Sequence, residues 1–191
     1  MEILTLLNSI QPLSPGLAHH LAEILKEKQF KKKDHLLRER QISTNVYFIE
    51  EGLVRAFYIN EKGEELTNWF MKEGDVIFSV ASFLEQAPSH EYITALEDCS
   101  VYYISYVQLQ AIYKEFPEFN YHGRVLTEKY YRLSLQRESF IKRTSSLERY
   151  QRLLEHEPYL LARAALQDIA TYLGMSPEML SKVRANSIPS K

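Results

Sequence analysis

Apolar positions recur with helical spacing toward both ends of the chain and with the shorter rhythm of strands between them. Ser14 followed by Pro15 supplies an N-cap hydroxyl and a proline at the first helical position. Leu17, Leu21, Ile24 and Leu25 then share one face, which predicts a short amphipathic helix. From about Lys28 the period shortens. Residues 45–50, 53–59 and 66–71 are rich in β-branched and aromatic side chains and are separated by charged turns, so they are predicted strands, joined by 92–96 and 101–104. Gly52, Gly63 and Gly74 stand eleven residues apart, each beside acidic or lysine residues, as successive turns of a small antiparallel barrel or sandwich would require.

Helical spacing returns at about 106–114 and, past Pro117, in a long segment reaching about Arg143. Phe119, Leu126, Leu133 and Phe140 fall every seventh residue, which keeps a narrow apolar seam on one side over several turns. The companion positions Gly123, Tyr130 and Arg137 are poor seam residues. The helix therefore either meets its copy in a dimer or packs against the barrel; the dimer is the expected arrangement, through Phe119, Leu126, Tyr130, Leu133 and Phe140. Residues 144–146 interrupt the pattern, and Ser145 with Glu148 forms an S-x-x-E capping box that starts a new helix ending near Glu155, before Pro158. The expected plan is a mixed α+β chain: an antiparallel β-roll domain over 1–115, a long helix over 116–144 and an all-α domain over 145–191.

The most specific motif lies at residues 166–184. Ala170 is small where two helices would cross, Ile169 and Leu173 face a shared core, and Gly174 can take the positive φ of a tight turn. Ser176 and Pro177 then cap a second helix in which Leu180 and Val183 turn inward. This is a helix-turn-helix, and it leaves Ser176, Pro177, Glu178, Met179, Ser181, Lys182 and Arg184 on or beside the outer side of the second helix, where a DNA major groove would meet them. Glu178 suits a cytosine amino group, Lys182 a guanine or a phosphate, and Met179 a thymine methyl.

Charge sharpens this picture. The 191 residues carry 23 basic and 25 acidic side chains, but residues 1–119 hold 11 basic against 18 acidic, net −7, whereas 120–191 hold 12 against 7, net +5. The local positive field sits where the helix-turn-helix sits, as an electrostatic footprint for a polyanion must. With 45% hydrophobic residues and 23 aromatics the chain can bury a real core, which excludes wholesale disorder. The longest stretch without formal charge, residues 3–22, contains Asn8, Gln11, two prolines and two histidines, too polar for a hydrocarbon span, and the start lacks a secretory pattern; a cytoplasmic protein with no membrane partner is expected. Cys99 is the single cysteine, so no intrachain disulfide or four-thiolate metal site can form.

Taken in order, residues 47–55 (Tyr-Phe-Ile-Glu-Glu-Gly-Leu-Val-Arg), the Gly74-Asp75 turn, Ser82-Phe83-Leu84, and the stretch from Ile169-Ala170 to Leu180-Ser181-Lys182-Val183-Arg184 resemble the Crp/Fnr superfamily of bacterial transcription regulators over nearly the whole chain. The resemblance implies a cyclic-nucleotide-binding-like β-roll sensor, a long dimerisation helix and a C-terminal DNA-binding domain. It also implies double-stranded DNA, a second copy of the chain, an unidentified small-molecule effector and RNA polymerase as partners. The seven residues after Arg184 leave no room for the β-hairpin wing that many relatives place there, and the reading helix departs from the common Arg-Glu start.

Relatives that bind cyclic AMP follow the Gly-Asp turn with a glutamate for the ribose and an arginine-serine pair for the phosphate. Counted without gaps, those positions are Ser79, Ser89 and His90 here. A buried phosphate would lose its bidentate cation, so cyclic AMP is not the expected effector. What remains is a set comprising Phe70, Phe78, Ser79, Ser82, Phe83, Ser89, His90 and Tyr92, suited to a small neutral or weakly acidic ligand or, as aromatic packing in small barrels favours, to a filled core. Arg55 is expected on a strand surface or domain interface.

Two other functions compete. A module that binds an effector or a protein partner and has lost DNA binding would keep the same fold. A small β-barrel enzyme would need clustered ligands, but the six histidines show no H-x-H or H-x-x-x-H spacing, so no metal, cofactor or catalytic residue is assigned.

Overall fold

The computed structural model describes residues 2–187. Helices α1 (Glu2–Ile10) and α2 (Pro15–Ile24) open the chain, and Ser14 Oγ accepts from Leu17 N at 3.3 Å with Pro15 in the first turn. Helix α1 escaped the sequence reading because Asn8 and Pro12 obscured its short apolar face, on which Ile3 and Leu7 are buried.

Eight strands follow: β1 (Lys26–Phe30), β2 (His35–Leu37), β3 (Asn45–Glu51), β4 (Val54–Ile59), β5 (Glu65–Met71) and β6 (Val76–Ile77), then, after the short helix α3 (Val80–Glu85), β7 (Tyr92–Ala95) and β8 (Cys99–Ser105). They form two four-stranded sheets, ordered β1-β8-β3-β6 and β2-β7-β4-β5. The β3–β8 pair is antiparallel, with Tyr47 opposite Tyr103 and Ile49 opposite Val101. The expected strands are all present. Those the pattern did not announce are β1, whose first four residues are exposed, and the two- and three-residue β6 and β2, too short to show a period.

Gly52, in the β3–β4 turn, shows why that turn needs glycine. Its φ is +105°, and a Cβ there would lie 2.9 Å from both Asp98 O and Cys99 Cα. Its N–H donates to Glu73 Oε1 at 3.0 Å.

After β8 the chain is helical: α4 (Tyr106–Glu115), α5 (Phe119–Arg143), α6 (Ser146–His156), α7 (Leu160–Arg163), α8 (Leu166–Tyr172) and α9 (Pro177–Ser187). Helix α6 carries the expected capping box: Ser145 N donates to Glu148 Oε2 at 2.7 Å while Ser145 Oγ accepts from Glu148 N at 3.3 Å. The Ser145 amide and hydroxyl hold the Glu148 carboxyl below its ordinary range. The helix ends one residue beyond the expected Glu155.

The chain divides into two compact units. One comprises residues up to Ala56 with Phe70–Lys129; the other comprises Phe57–Trp69 with the chain from Tyr130 onward. The division thus falls inside α5 and gives the tip of the β4–β5 hairpin to the C-terminal helices. In the first unit Ile3, Leu7, Leu17, Leu21, Phe48, Ile104, Ile112 and Phe119 form one buried cluster, against which Leu126 also packs.

The residues of the expected dimer seam differ in burial. Phe119 is buried in its own core, with the Tyr113 ring 5.5 Å away and His122 stacked at 5.6 Å. Tyr130, Leu133 and Phe140 are half-buried, the last beneath the Arg152 guanidinium at 4.7 Å. The companion position Gly123 is small because the Tyr113 ring occupies the place of its Cβ. The side of α5 that faces solvent carries Tyr131, 66% exposed, and Leu135, 48% exposed.

Candidate nucleic-acid interface

In the second unit Ile169, Ala170, Leu173, Leu180 and Val183 are all buried, which seats α9 against α8 as the spacing requires. Gly174 makes the turn between them at φ +64°. Ser176 Oγ accepts from Met179 N at 3.2 Å and Ser176 O from Leu180 N at 3.0 Å, so Ser176 is the N-cap of α9. With Leu180 and Val183 inward, Ser176, Pro177, Glu178, Met179, Ser181 and Lys182 are exposed, and Arg184 is half-buried. Ser181 Oγ donates to Pro177 O at 3.0 Å, which ties up its proton within the helix. The Glu178 carboxyl is held below its usual range, first by the Ser176 hydroxyl, then by its own backbone amide and Lys182; it is ionised at neutral pH beside the positive end of α9. Chemically, this face offers an acceptor, a long-reach cation and a thioether within two turns.

Residues whose role the sequence did not disclose hold this pair of helices. Arg137 of α5 lies 3.8 Å from the Tyr172 ring centroid and 5.8 Å from that of Trp69. The Tyr172 hydroxyl donates to Glu157, 3.1 Å from Oε1. Burial pushes the Glu157 carboxyl and the Tyr172 phenol up and the Arg137 guanidinium down. Thr171 Oγ1 accepts from Thr67 N at 3.2 Å, joining α8 to the β5 end of the hairpin within the same unit. Arg137 had one visible signal, its misfit in the heptad; the others had none.

The expected effector set divides. Phe70, Ser79, Ser82, Phe83 and Ser89 are buried, Phe78 and Tyr92 are half-buried, and His90 is exposed, because β7 begins two residues later and the loop turns its side chain outward. His90 therefore leaves the set. Phe83 contacts Phe78 (4.9 Å) and Tyr106 (5.2 Å) edge-on. Ser89 Oγ lies 3.1 Å from Ser79 Oγ and 3.0 Å from Glu91 O, and Ser82 Oγ accepts from Ser43 N at 2.9 Å and donates to Ala87 O. These hydroxyls pin the loop to itself. A cavity of about 460 Å³ opens beside β2 and β3, lined by residues including Leu36, Ile42, Ser43 and Tyr47 and sharing no residue with that set. Arg55, expected at a surface or interface, is buried. Among the described residues no group of three metal-ligating side chains converges and no helix is long and apolar enough to cross a membrane.

Residues 27–116 match the cyclic nucleotide-binding domain family. The solved structure of FixK2 from Bradyrhizobium japonicum is similar at TM-score 0.73 and 23% identity, covering 85% of this chain and 84% of that one. CLP, the c-di-GMP responsive global regulator of Xanthomonas campestris, is similar at 0.73 and 18%, covering 91% of both chains. A Crp/Fnr-family protein from Eubacterium rectale, assigned as a transcriptional regulator, gives 0.72 and 17%, covering 91% and 83%. The chain shares the fold of these solved structures, and residues 27–116 are the stretch that matches the cyclic nucleotide-binding domain family. No curated protein matches the sequence. Helices α8 and α9, joined by the turn at Gly174, form a helix-turn-helix.

Proposed function

We propose that the protein is a sequence-specific, DNA-binding transcription regulator acting as a cytoplasmic homodimer. The observation that carries this reading is α9: its inner side is fixed by Leu180 and Val183, and its outer side presents Pro177, Glu178, Met179, Ser181 and Lys182 at a capped N-terminus, with Arg184 beside them. The net +5 charge of residues 120–191 supplies the attraction. One short helix makes a few base contacts worth roughly 1–3 kcal/mol each, so two copies are needed on half-sites about 10 base pairs apart or a multiple of that. The long helix α5, with Tyr131 and Leu135 outward, is the surface for the second copy. An effector, where one acts, is not cyclic AMP, since the phosphate cation is absent and the serines bond one another. RNA polymerase is the downstream partner, and the reading assigns no catalysis.

The experiment is recovery of genomic fragments by the purified protein at two salt concentrations. A palindromic consensus with steeply salt-dependent retention supports the reading. No retention at low salt overturns it in favour of an effector- or partner-binding module.

A further inference from the structure

The carbonyl groups at the end of α8 are satisfied one by one. Met175 N donates to Ala170 O and Gly174 N to Thr171 O, both at 3.0 Å, the two bonds of a Schellman closure. This closure leaves the Tyr172, Leu173 and Gly174 carbonyls pointing out of the turn. Arg137 Nη2 donates to Tyr172 O at 2.5 Å, and Arg149 Nη1 donates to Leu173 O at 2.6 Å and Gly174 O at 3.1 Å. Arg149 is itself held at the start of α6, where Nη2 donates to Ser146 Oγ at 3.3 Å. The turn is shaped around this guanidinium: a Cβ at position 174 would stand 3.0 Å from Arg149 Nη1. Both cations lie at the negative end of the α8 dipole, and Arg149 serves its acceptors from two separated nitrogens, Nη1 for the two carbonyls and Nη2 for the hydroxyl, a spread that a single ammonium nitrogen does not match.

We propose that Arg137 and Arg149 are positioning residues for DNA recognition: their guanidinium groups clamp the α8–α9 turn and fix the angle at which α9 is presented, without touching phosphate. The inference rests on the DNA-binding reading. The outer residues of α9 extend to Lys182 and Arg184, six and eight residues beyond the N-cap Ser176, so at 1.5 Å per residue a 10° error at the turn moves them by about 1.5–2 Å, enough to take a hydrogen bond to a base edge out of range.

The test uses the full-length protein, an operator duplex and a scrambled duplex, with Arg149→Met, Arg149→Lys and Arg137→Met. Expected are a loss of operator affinity of about tenfold or more, scrambled-duplex affinity and its salt slope as in the wild type, and no rescue by lysine. Without DNA, amide exchange at Gly174 and Met175 should accelerate, which reads the turn directly. An unchanged operator preference together with unchanged exchange overturns the clamp. So does an equal loss on both duplexes with a reduced salt slope, which would make Arg149 a phosphate contact. If the wild type binds no DNA, the functional reading falls, while the exchange rates still decide whether the arginines hold the turn.

Discussion

Lys182 offers the sharpest test of where phosphate is met. It is exposed on α9, six residues beyond the N-cap Ser176 and on the side away from Leu180 and Val183, so its removal leaves the helix-turn-helix core intact. Each phosphate neutralised contributes about 0.9 to the slope of log affinity against log salt. The proposed dimer presents two copies, so Lys182→Ala should flatten the slope by about 1.8. Between 50 and 200 mM salt, a fourfold change, that difference amounts to roughly a tenfold smaller loss of affinity than the wild type suffers. At low salt the variant should bind more weakly on operator and scrambled duplex alike, because phosphate is common to both. Fluorescence anisotropy titrations of both duplexes at four salt concentrations measure this. A weakened variant whose slope equals that of the wild type would refute the assignment and make Lys182 a base contact. In contrast, Glu178→Ala should chiefly relax base preference.

Three further outcomes are expected. Gly52→Ala forces a side chain into φ +105° and against the backbone of Asp98 and Cys99, so it should cost about 2–3 kcal/mol and lower Tm by roughly 4–10 °C in calorimetry. Leu135→Glu should leave the monomer folded, since the side chain is half-exposed, but shift sedimentation toward the monomer; an unaltered dimer would show that this side of α5 is not the contact. Burial raises the Glu157 carboxyl above its ordinary 4.5, so the folded state keeps a proton that the unfolded chain releases. Its stabilising contribution is therefore complete below 4.5 and is lost as pH rises through the raised value; urea titrations should show Glu157→Gln less sensitive across that window, and equal sensitivity would refute the buried carboxylate.

The elements that could be read from sequence were those whose own residues dictate them. Ser14-Pro15, the Ser145–Glu148 box, the evenly spaced turn glycines and the Leu180/Val183 pair act over three or four residues, and each appears where its spacing put it. Short strands such as β6 exist only because a neighbour supplies the hydrogen bonds, so no local pattern marks them. The seam on α5 illustrates the limit differently. A period of seven states that one side is covered, not by what, and here Phe119 and Leu126 are covered by the chain's own helices. Arg149 was invisible because its partners are carbonyls 24 and 25 residues away, and a carbonyl has no signature in a sequence.

The β4–β5 hairpin has a consequence for engineering. Its tip belongs to the same compact body as the helix-turn-helix, so that body is assembled from two separate stretches of polypeptide. A fragment starting at Tyr130 would retain α6 to α9 yet lack Trp69 beside Arg137 and Thr67 beside Thr171. The helix-turn-helix body is thus not a cassette that can be cut at one bond; a chimera that exchanges it must graft the hairpin as well, and a library that shuffles only the carboxy-terminal end will yield helix pairs with one side unsupported.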